Sequence, residues 1–179
     1  MKKRKYKLVE DDFIIYEGRK LYRIKALKKF GSNTFRGAET IITEGKLGGY
    51  VEGYHNLSQK GDCWIYDYAK VYGNARVLDN AILISTSIVY GNAVIKNDAL
   101  ICQSEVYDNA RIEKKEDMTR TKVIESEIHD NANIIADVIS HSEICDNAKV
   151  SGASREILSG EILYVPIAYK DKISNNSIL

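Results

Sequence analysis

The motif Val71-Tyr-Gly-Asn-Ala75 recurs four more times along the chain, and its spacing decides the fold. The later copies are Val89-Tyr-Gly-Asn-Ala93, Val106-Tyr-Asp-Asn-Ala110, Ile128-His-Asp-Asn-Ala132 and Ile144-Cys-Asp-Asn-Ala148. Consecutive copies lie 18, 17, 22 and 16 residues apart, and half-copies such as Val77-Leu-Asp-Asn-Ala81 follow six residues after a full copy. The unit is therefore a hexapeptide, and three hexapeptides make one turn of a repeat architecture.

Each position of the hexapeptide has a structural role that its residue type predicts. The aliphatic residue at position one should point inward from a short strand, and the small residue at position five should let the chain turn at a crowded corner. Asn or Asp between them tolerates the left-handed backbone of a tight corner, which costs most other residues about 1–2 kcal/mol. Three faces joined by such corners predict a triangular coil, and successive coils should stack about 4.8 Å apart as a solenoid.

A helical interpretation fits the same residues poorly. A period of six does not match the 3.6-residue period of an amphipathic helix, and Asn and Gly within the units disfavour helix. The sequence therefore predicts an all-β triangular solenoid of about six coils, and residues 53–57 are expected to align with residues 71–75 as one more copy. The three faces are predicted to start at Val71, Val89, Val106, Ile128 and Ile144; at Val77, Ile95, Ile112, Ile134 and Val150; and at Ile65, Leu83, Ile101, Val123 and Ile139.

The segments that flank the repeats divide the chain into three predicted parts. Residues 1–47 form an N-terminal cap and connection, residues 48–152 the β-helix, and residues 153–179 a closing segment. Short apolar runs on either side of Glu17-Gly18 predict a β-hairpin or meander within the cap. We expect it to cover the first coil, because an uncovered solenoid end exposes unpaired strand edges. Residues 162–165 and 167–169 are expected to close the far end.

The most specific part of the sequence lies between Gly48 and Ala75. It consists of Gly48-Gly-Tyr-Val-Glu52, Asn56-Leu-Ser58 and Gly61-Asp-Cys-Trp-Ile-Tyr66, followed by Ala69, Val71 and Gly73-Asn-Ala75. Together with the repeats, over roughly residues 40–150, this block resembles the hexapeptide-repeat, left-handed parallel β-helix superfamily. Within it, the chain is most similar to bacterial and phage-borne proteins, one enterobacterial member of which carries only a provisional transferase label. The resemblance implies left-handed winding.

The resemblance also raises the question of acyl transfer. Acyltransferases of the superfamily carry a catalytic His on or beside an inserted loop and form active sites between the subunits of a trimer. The evident insertion of this chain, residues 113–122, contains no His and so departs from that pattern. His129 and His141 are the candidates for a general base, which must reach a substrate hydroxyl. They lie 12 residues apart, about two faces, and should not be adjacent in one subunit.

Charge is distributed unevenly, although the net charge is only +1. Residues 1–30 hold 11 Lys or Arg against 4 acids, a net charge of +7, and the remainder holds 15 against 21, a net charge of −6. The basic start predicts either a solubilising terminus, which we favour, or a contact with nucleic acid or an acidic protein. The residues that would make such a contact are Lys2, Lys3, Arg4 and Lys5.

Cysteine usage and hydropathy predict a cytoplasmic protein, in the host cytoplasm if it is phage-encoded. Cys63, Cys102 and Cys145 cannot all pair and show no CxxC spacing, which favours a reducing compartment. The sequence shows neither an 18-residue apolar run nor an apolar segment behind the basic start, so neither a membrane span nor a signal peptide is predicted. Zinc spacing, a phosphate loop and a nucleophile elbow are also missing, and no metal or cofactor is expected.

Stacking converts the second position of the first face into a column of mostly aromatic residues. Its members are Tyr54, Tyr72, Tyr90, Tyr107, His129 and Cys145. Aromatic neighbours about 5 Å apart stabilise a sheet by roughly 0.2–1 kcal/mol per pair. The column therefore predicts either a stabilising ladder or, because tyrosine is enriched at interfaces, a surface for a protein partner or for self-association into a dimer or trimer.

Two rows of carboxylates are predicted along one edge of the last three coils. One row is Glu105, Glu127 and Glu143, each preceded by Ser, and the other is Asp108, Asp130 and Asp146. Like charges across a ladder are destabilising, and Arg111 and Lys149 could neutralise part of the Glu row. The rows are compatible with a solvated edge, with a site for Ca²⁺ or Mg²⁺, or with a surface that mimics nucleic acid toward a basic groove. Ser87, Ser104, Ser126 and Ser142 should be packing residues at inward corners.

The sequence favours a non-catalytic macromolecule-binding protein that uses its side faces against a protein or nucleoprotein. Given the phage-borne relatives implied by the resemblance, that partner could be a host defence nucleoprotein that the acidic edge inhibits. The alternatives are an O- or N-acyltransferase with an intersubunit active site, and a structural or assembly module.

Overall fold

The computed structural model describes residues 4–31, 41–114, 120–152 and 172–173, and these residues form β-strands without any helix. The strands, in chain order, are β1 (Tyr6–Tyr16), β2 (Arg19–Ala26), β3 (Leu47–Val51), β4 (Trp64–Ile65), β5 (Lys70–Val71), β6 (Arg76–Val77), β7 (Ile82–Ile84), β8 (Ile88–Val89), β9 (Val94–Ile95), β10 (Leu100–Cys102), β11 (Glu105–Val106), β12 (Arg111–Ile112), β13 (Lys122–Ile124), β14 (Glu127–Ile128), β15 (Asn133–Ala136), β16 (Val138–Ser140), β17 (Glu143–Ile144), β18 (Lys149–Gly152) and β19 (Lys172–Ile173). No helix in this described part of the chain is long and apolar enough to cross a lipid bilayer.

Three sheets form the sides of a parallel β-solenoid. From β4 to β15 each strand pairs with the strand three places later in the sequence. The solenoid strands of the first sheet follow the order β3-β5-β8-β11-β14-β17-β19, those of the second sheet β6-β9-β12-β15-β18, and those of the third sheet β4-β7-β10-β13-β16. These strands make about five complete turns, with β3 and β19 adding strands to the first sheet. The fifteen predicted face positions pair in the predicted order within three parallel sheets, which confirms the solenoid.

The core runs along the solenoid axis as stacked aliphatic and small side chains. Residues at position one, such as Val89, Ile101 and Ile134, are fully buried. The Ala residues at position five, including Ala75 and Ala93, are equally buried. Each turn therefore buries its apolar side against the turns above and below it, as expected of a solenoid.

Left-handed backbone conformations recur at the third position of the units. In the corner that follows each strand of the first sheet they occur at Gly73 and Gly91 (φ 64° and 66°) and then at Asp108, Asp130 and Asp146 (φ 52°, 55° and 58°). A Cβ at Gly91 would lie 2.8 Å from the Asp108 backbone nitrogen, which explains the glycine there. The corner chemistry predicted for the Asp residues is thus confirmed, since Asp tolerates this conformation.

The N-terminal residues form the predicted hairpin. Strands β1 and β2 pair antiparallel, with a register shift between Val9 and Phe13, and β2 pairs antiparallel with β3. The hairpin thereby extends the first sheet beyond its first solenoid strand. Tyr6 and Phe30 pack against the buried Trp64 ring, with ring centroids 6.4 and 5.4 Å apart, and so cover the first turn from its end.

The register predicted for the first coil is wrong by two residues. Val51, not Gly53, pairs with Val71, and Leu57 forms a bridge with Val77. The two additional residues lie after this corner, because Leu57 and Ile65 are eight positions apart whereas their partners Val77 and Leu83 are six apart. The fully buried Asn56 holds the corner itself in place by hydrogen bonds to neighbouring backbone. Sequence similarity of residues 53–57 to the repeat motif therefore did not reflect structural alignment.

Some sequence predictions fall outside the described residues. These are the closing strands at residues 162–165 and 167–169 and the central part of the insertion, residues 115–119. Strand β19 pairs in parallel with β17, which adds one more strand to the first sheet at that end.

Candidate functional site

A continuous aromatic stack lies on the outer side of the corner that follows the first sheet in each turn. Tyr72, Tyr90, Tyr107 and His129 stack with centroid separations of 5.0, 4.9 and 4.9 Å and interplanar angles of 1°, 6° and 4°. We refer to these four residues as the aromatic stack. The predicted column is confirmed for them but wrong for Tyr54, which packs against Tyr6 and does not align with Tyr72, because the first turn is two residues longer than the next. Parallel in-register stacking explains the spacing.

The aromatic stack is joined to carboxylates of the neighbouring turns and of the N-terminal hairpin, whose turn carries Glu17. The Tyr72 hydroxyl donates to Glu17 at 2.9 Å, that of Tyr107 donates to Glu127 at 2.5 Å, and Tyr90 donates to Glu105. His129 Nε2 lies 3.3 Å from Glu143 Oε1. Burial first, and then the carboxylate hydrogen bonds, raise the pKa values of all three tyrosines above the usual range. The phenols therefore stay protonated and hold the carboxylates as acceptors.

The raised pKa values predict alkaline unfolding. A folded-state pKa above the unfolded value of about 10 stabilises the fold fully below pH 10, and the stability is lost as pH rises toward the folded value. We expect the free energy of unfolding, measured by urea between about pH 9 and pH 11, to fall less steeply in Tyr90→Phe/Tyr107→Phe than in the wild type.

The control for this experiment replaces two tyrosines outside the aromatic stack. Tyr54 and Tyr68 are exposed, so Tyr54→Phe/Tyr68→Phe should keep the wild-type pH dependence. Equal slopes for all three proteins would show that the aromatic stack does not couple folding to phenol ionisation.

Glu105, Glu127 and Glu143 form the glutamate row. They occupy directly paired positions of β11, β14 and β17, so adjacent carboxylate-bearing strands are about 4.8 Å apart. Each accepts a hydrogen bond from, or lies against, a member of the aromatic stack, which offsets the repulsion between like charges. The two residues suggested as neutralising partners, Arg111 and Lys149, instead belong to the second sheet, where both pair with Asn133.

Asp108, Asp130 and Asp146 form the aspartate row on the other side of the aromatic stack. Their carboxylates accept backbone hydrogen bonds from the next turn: Asp130 N donates to Asp108 at 3.4 Å and Asp146 N donates to Asp130 at 3.0 Å. His129 Nδ1 lies 3.0 Å from Asp130 Oδ2. The aspartate row is therefore part of the corner structure as well as a source of negative charge.

Three shortened corners connect the third sheet to the glutamate row. Leu83 and Val89, the inward residues on either side of this corner in an earlier turn, are six positions apart. In the next three turns the corresponding residues are only five positions apart. These pairs are Ile101 and Val106, Val123 and Ile128, and Ile139 and Ile144. The first residue of each shortened corner has a left-handed backbone although it is neither Gly, Asn nor Asp. These residues are Gln103, Glu125 and His141, with φ of 49°, 48° and 52°.

A serine ladder stabilises the shortened corners. Ser104, Ser126 and Ser142 are buried, and each hydroxyl donates to the carbonyl two residues earlier at 2.8 Å. The Ser104 hydroxyl also accepts the backbone N–H of Ser126 at 3.1 Å, and the Ser126 hydroxyl accepts that of Ser142 at 3.2 Å. These contacts place the serines as packing residues, as predicted, because both functions of the hydroxyl serve the backbone.

The shortened corners and the glutamate row together line an acidic groove of about 640 Å³. Its described lining contains four carboxylates, those of Glu105, Glu125, Glu127 and Glu143, and neither Lys nor Arg. His141 also lines it, and His141 Nε2 lies 2.7 Å from Glu125 Oε2. Glu125 was missed by the sequence reasoning, although the five-residue spacing before Val106, Ile128 and Ile144 signalled an unusual corner.

The two candidate histidines occupy different places. His141 lies in the acidic groove beside Glu125, with both side chains about half exposed. His129 terminates the aromatic stack, between Asp130 and Glu143, with its side chain 14% exposed. The two histidines therefore face different carboxylates, Glu125 for His141 and Asp130 and Glu143 for His129.

The basic N-terminus is tied into the cap. The Lys5 side chain is buried, and its Nζ donates to the Cys63 carbonyl at 2.9 Å and lies 3.2 Å from Cys63 Sγ. Burial lowers the pKa of Lys5. Arg4 lies over the Tyr54 ring at 4.7 Å, and Lys2 and Lys3 lie outside the described residues. Lys5 therefore serves the fold rather than an exposed nucleic-acid contact.

A family model described as the YdcK Beta solenoid repeat matches residues 69–83. These residues contain β5, β6 and the start of β7, with the two corners between them. The chain is a parallel β-solenoid repeat protein. A comparison with the curated proteins finds none that matches it.

Proposed function

We propose that this β-solenoid is a non-catalytic binding protein whose acidic groove engages a basic protein or nucleoprotein. The observation that carries the proposal is the combination of four carboxylates, with no Lys or Arg among the described residues that line the groove. The partner is a basic surface that otherwise binds nucleic acid. By the phage-borne character of the proteins that the sequence resembles, we propose a host defence nucleoprotein as the target of inhibition.

Regular spacing supports the mimicry of nucleic acid. The glutamate row repeats at the strand spacing of about 4.8 Å, which is shorter than the Debye length of about 8 Å at physiological ionic strength. The negative potentials of its members therefore add, and such a field accelerates association with a basic partner. Arg forms bidentate hydrogen bonds with carboxylates as it does with phosphates, so a phosphate-binding groove can accept the glutamate row.

The aromatic stack contributes to this surface by fixing the carboxylates. Tyr107 and His129 each hold one oxygen of a glutamate on the next turn, which restricts the side chain before any partner binds. Pre-organisation reduces the entropy cost of binding. The stack itself gives the partner an adjoining aromatic edge of the kind enriched at protein interfaces.

The experiment replaces the glutamate row by glutamine in one variant, Glu105→Gln/Glu127→Gln/Glu143→Gln. Glutamine keeps an acceptor oxygen for Tyr107, so folding should be retained. Fluorescence anisotropy with a labelled arginine-rich peptide, at low salt and with EDTA present, should show binding weakened roughly 10- to 100-fold, since each exposed ion pair contributes up to about 1 kcal/mol. Added duplex DNA should compete for the peptide with the wild-type protein.

A matched control changes the same amount of charge elsewhere. Glu10, Asp11 and Glu44 are exposed residues outside the solenoid turns that carry the groove. Their replacement by Gln, Asn and Gln should leave peptide affinity within about threefold of wild type, because the local field at the groove is unchanged. Equal weakening in both variants would show that net charge, and not the acidic groove, determines binding.

A second candidate function, O- or N-acyl transfer, is favoured by one observation. His141 and Glu125 form a histidine–carboxylate pair in the groove, as a general base and its orienting group would. The site would be completed by another subunit, so light scattering should then find a dimer or trimer. A monomer, or thiol release from an acyl thioester that is unaffected by His141→Asn, would exclude this function.

The winding sense of the solenoid, its superfamily and the cellular compartment of the protein can also be inferred. We infer left-handed winding and membership of the hexapeptide-repeat superfamily from the resemblance of residues 40–150 to that superfamily, whose six-residue units this chain shares. A cytoplasmic location is supported by the three cysteines, which are all free thiols.

A further inference from the structure

Three different types of metal-binding side chain meet at the far end of the aromatic stack. Donor atoms of His129, Glu143 and Cys145 lie within 4.8 Å of one another. His129 and Cys145 each follow an inward Ile, and those two Ile residues are paired in register on β14 and β17. The column that carries tyrosine in earlier turns thus ends in imidazole and thiol. We propose that His129, Glu143 and Cys145 form a zinc site.

The distances match tetrahedral coordination. Zinc binds imidazole nitrogen and carboxylate oxygen at about 2.0–2.2 Å, so two such ligands at a tetrahedral angle lie about 3.3–3.5 Å apart. His129 Nε2 and Glu143 Oε1 are 3.3 Å apart. Zinc between them therefore requires little movement of either side chain, and the Cys145 sulfur is close enough to become the third ligand.

The other imidazole nitrogen already has the orienting partner that metal-bound histidines use. His129 Nδ1 lies 3.0 Å from Asp130 Oδ2, and Asp130 in turn accepts the Asp146 backbone N–H at 3.0 Å. A carboxylate on Nδ1 fixes the tautomer that leaves the Nε2 lone pair facing Glu143 and makes the imidazole a better donor. Asp130 is therefore a positioning residue for the zinc site and not one of its ligands.

Burial and donor type favour zinc over the hard cations. Cys145 is 1% exposed and the His129 side chain 14%, whereas the Glu143 side chain is 40% exposed and leaves the site open to solvent on one side. A mixed set of nitrogen, sulfur and oxygen donors suits Zn²⁺ or Co²⁺, and Ca²⁺ and Mg²⁺ prefer oxygen alone. Three protein ligands leave a fourth position for water or a ligand from a partner.

This inference departs from the sequence expectation of no metal site. His129 and Cys145 are separated by 16 residues, which is one turn of the solenoid, and Glu143 lies two residues before Cys145, so the three residues form no recognisable zinc spacing. The site also goes beyond the proposed binding function, with which it shares Glu143 and the histidine that positions it, His129. EDTA in the peptide titrations removes divalent metal ions, so those titrations test the acidic groove without the zinc site. Failure of either proposal therefore leaves the test of the other intact.

The test titrates the full-length, metal-free protein with CoCl₂ and follows the thiolate-to-cobalt charge-transfer absorption. We expect one equivalent of Co²⁺ to produce this band, and one equivalent of ZnCl₂ to abolish it. Cys145→Ser should eliminate the band, and the control Cys102→Ser should retain it, since Cys102 is a free thiol on the third sheet. Absence of the band in the wild type, or its survival in Cys145→Ser, would overturn the proposal.

Two further variants separate metal binding from folding. His129→Tyr places at the end of the aromatic stack the residue that the three preceding members carry, so the stack should persist while zinc affinity, measured by calorimetry, falls at least tenfold. Asp130→Asn tolerates the left-handed backbone and should weaken zinc about 10- to 100-fold while leaving the cobalt band in place. Unchanged affinity in folded His129→Tyr, as judged by circular dichroism, would also overturn the proposal.

Discussion

Replacing Asn56 by aspartate is expected to lower the free energy of unfolding by about 3–5 kcal/mol. Asn56 is fully buried; its Nδ2 donates to the carbonyls of Gly73 and Ala75 at 3.0 and 2.9 Å, and its Oδ1 accepts the Gly53 N–H at 2.9 Å. Aspartate has the same shape but no N–H, so Asn56→Asp directs a charged group at two carbonyl oxygens. Urea unfolding at about pH 7 measures the loss.

Asn74→Asp is the matched control for this substitution. Asn74 is exposed and donates to Asn92 Oδ1 at 3.0 Å, so the same chemical change in water should cost less than about 1 kcal/mol. At acidic pH the introduced carboxylate of Asn56→Asp should protonate, and its penalty should decrease. A loss below 1 kcal/mol in Asn56→Asp would show that these hydrogen bonds do not hold the first corner.

Replacing Ile101 by alanine is expected to destabilise the solenoid by about 2–5 kcal/mol. Ile101 is fully buried in the third sheet, paired with Leu83 on one side and Val123 on the other. In-register hydrogen bonding fixes the separation of the turns, so the neighbours cannot collapse into the cavity that Ile101→Ala leaves. Urea denaturation monitored by the single tryptophan, Trp64, reports the loss.

Cys102→Ala provides the comparison within the same strand. Cys102 is only half buried and points away from the axis, since successive residues of a strand face opposite sides. Its truncation should cost less than about 1 kcal/mol. Similar losses at Ile101 and Cys102 would contradict the assignment of Ile101 to the central core.

The candidate binding surface depends on the fold for its charge. The repulsion between Glu105 and Glu127, which are paired across adjacent strands, is offset by their acceptor roles toward the aromatic stack. The tyrosines in turn contribute to stability only while they are protonated. Stability and the presentation of negative charge are therefore two results of the same hydrogen bonds.

The repeat period alone determined most of the fold. Because parallel in-register strands superpose equivalent positions, a six-residue period fixes which residues form a column, as Val71 and Val89 or Tyr90 and Tyr107 do. The hairpin followed from local pattern and turn residues. The first turn did not follow, because two additional residues between Leu57 and Ile65 lengthen it and the buried Asn56 fills the place of the usual small residue.

The tertiary structure decided how separate columns contact one another. Periodicity predicted the glutamate row and the aromatic stack individually, but the hydrogen bond from Tyr107 to Glu127 depends on side-chain direction across two turns. The same holds for His129, Glu143 and Cys145, which the winding brings together from neighbouring turns. The five-residue corner that exposes Glu125 to the groove is set by local backbone and by the serine ladder. A repeat specifies the stacking of like residues, whereas contacts between unlike residues depend on the geometry of the finished turns.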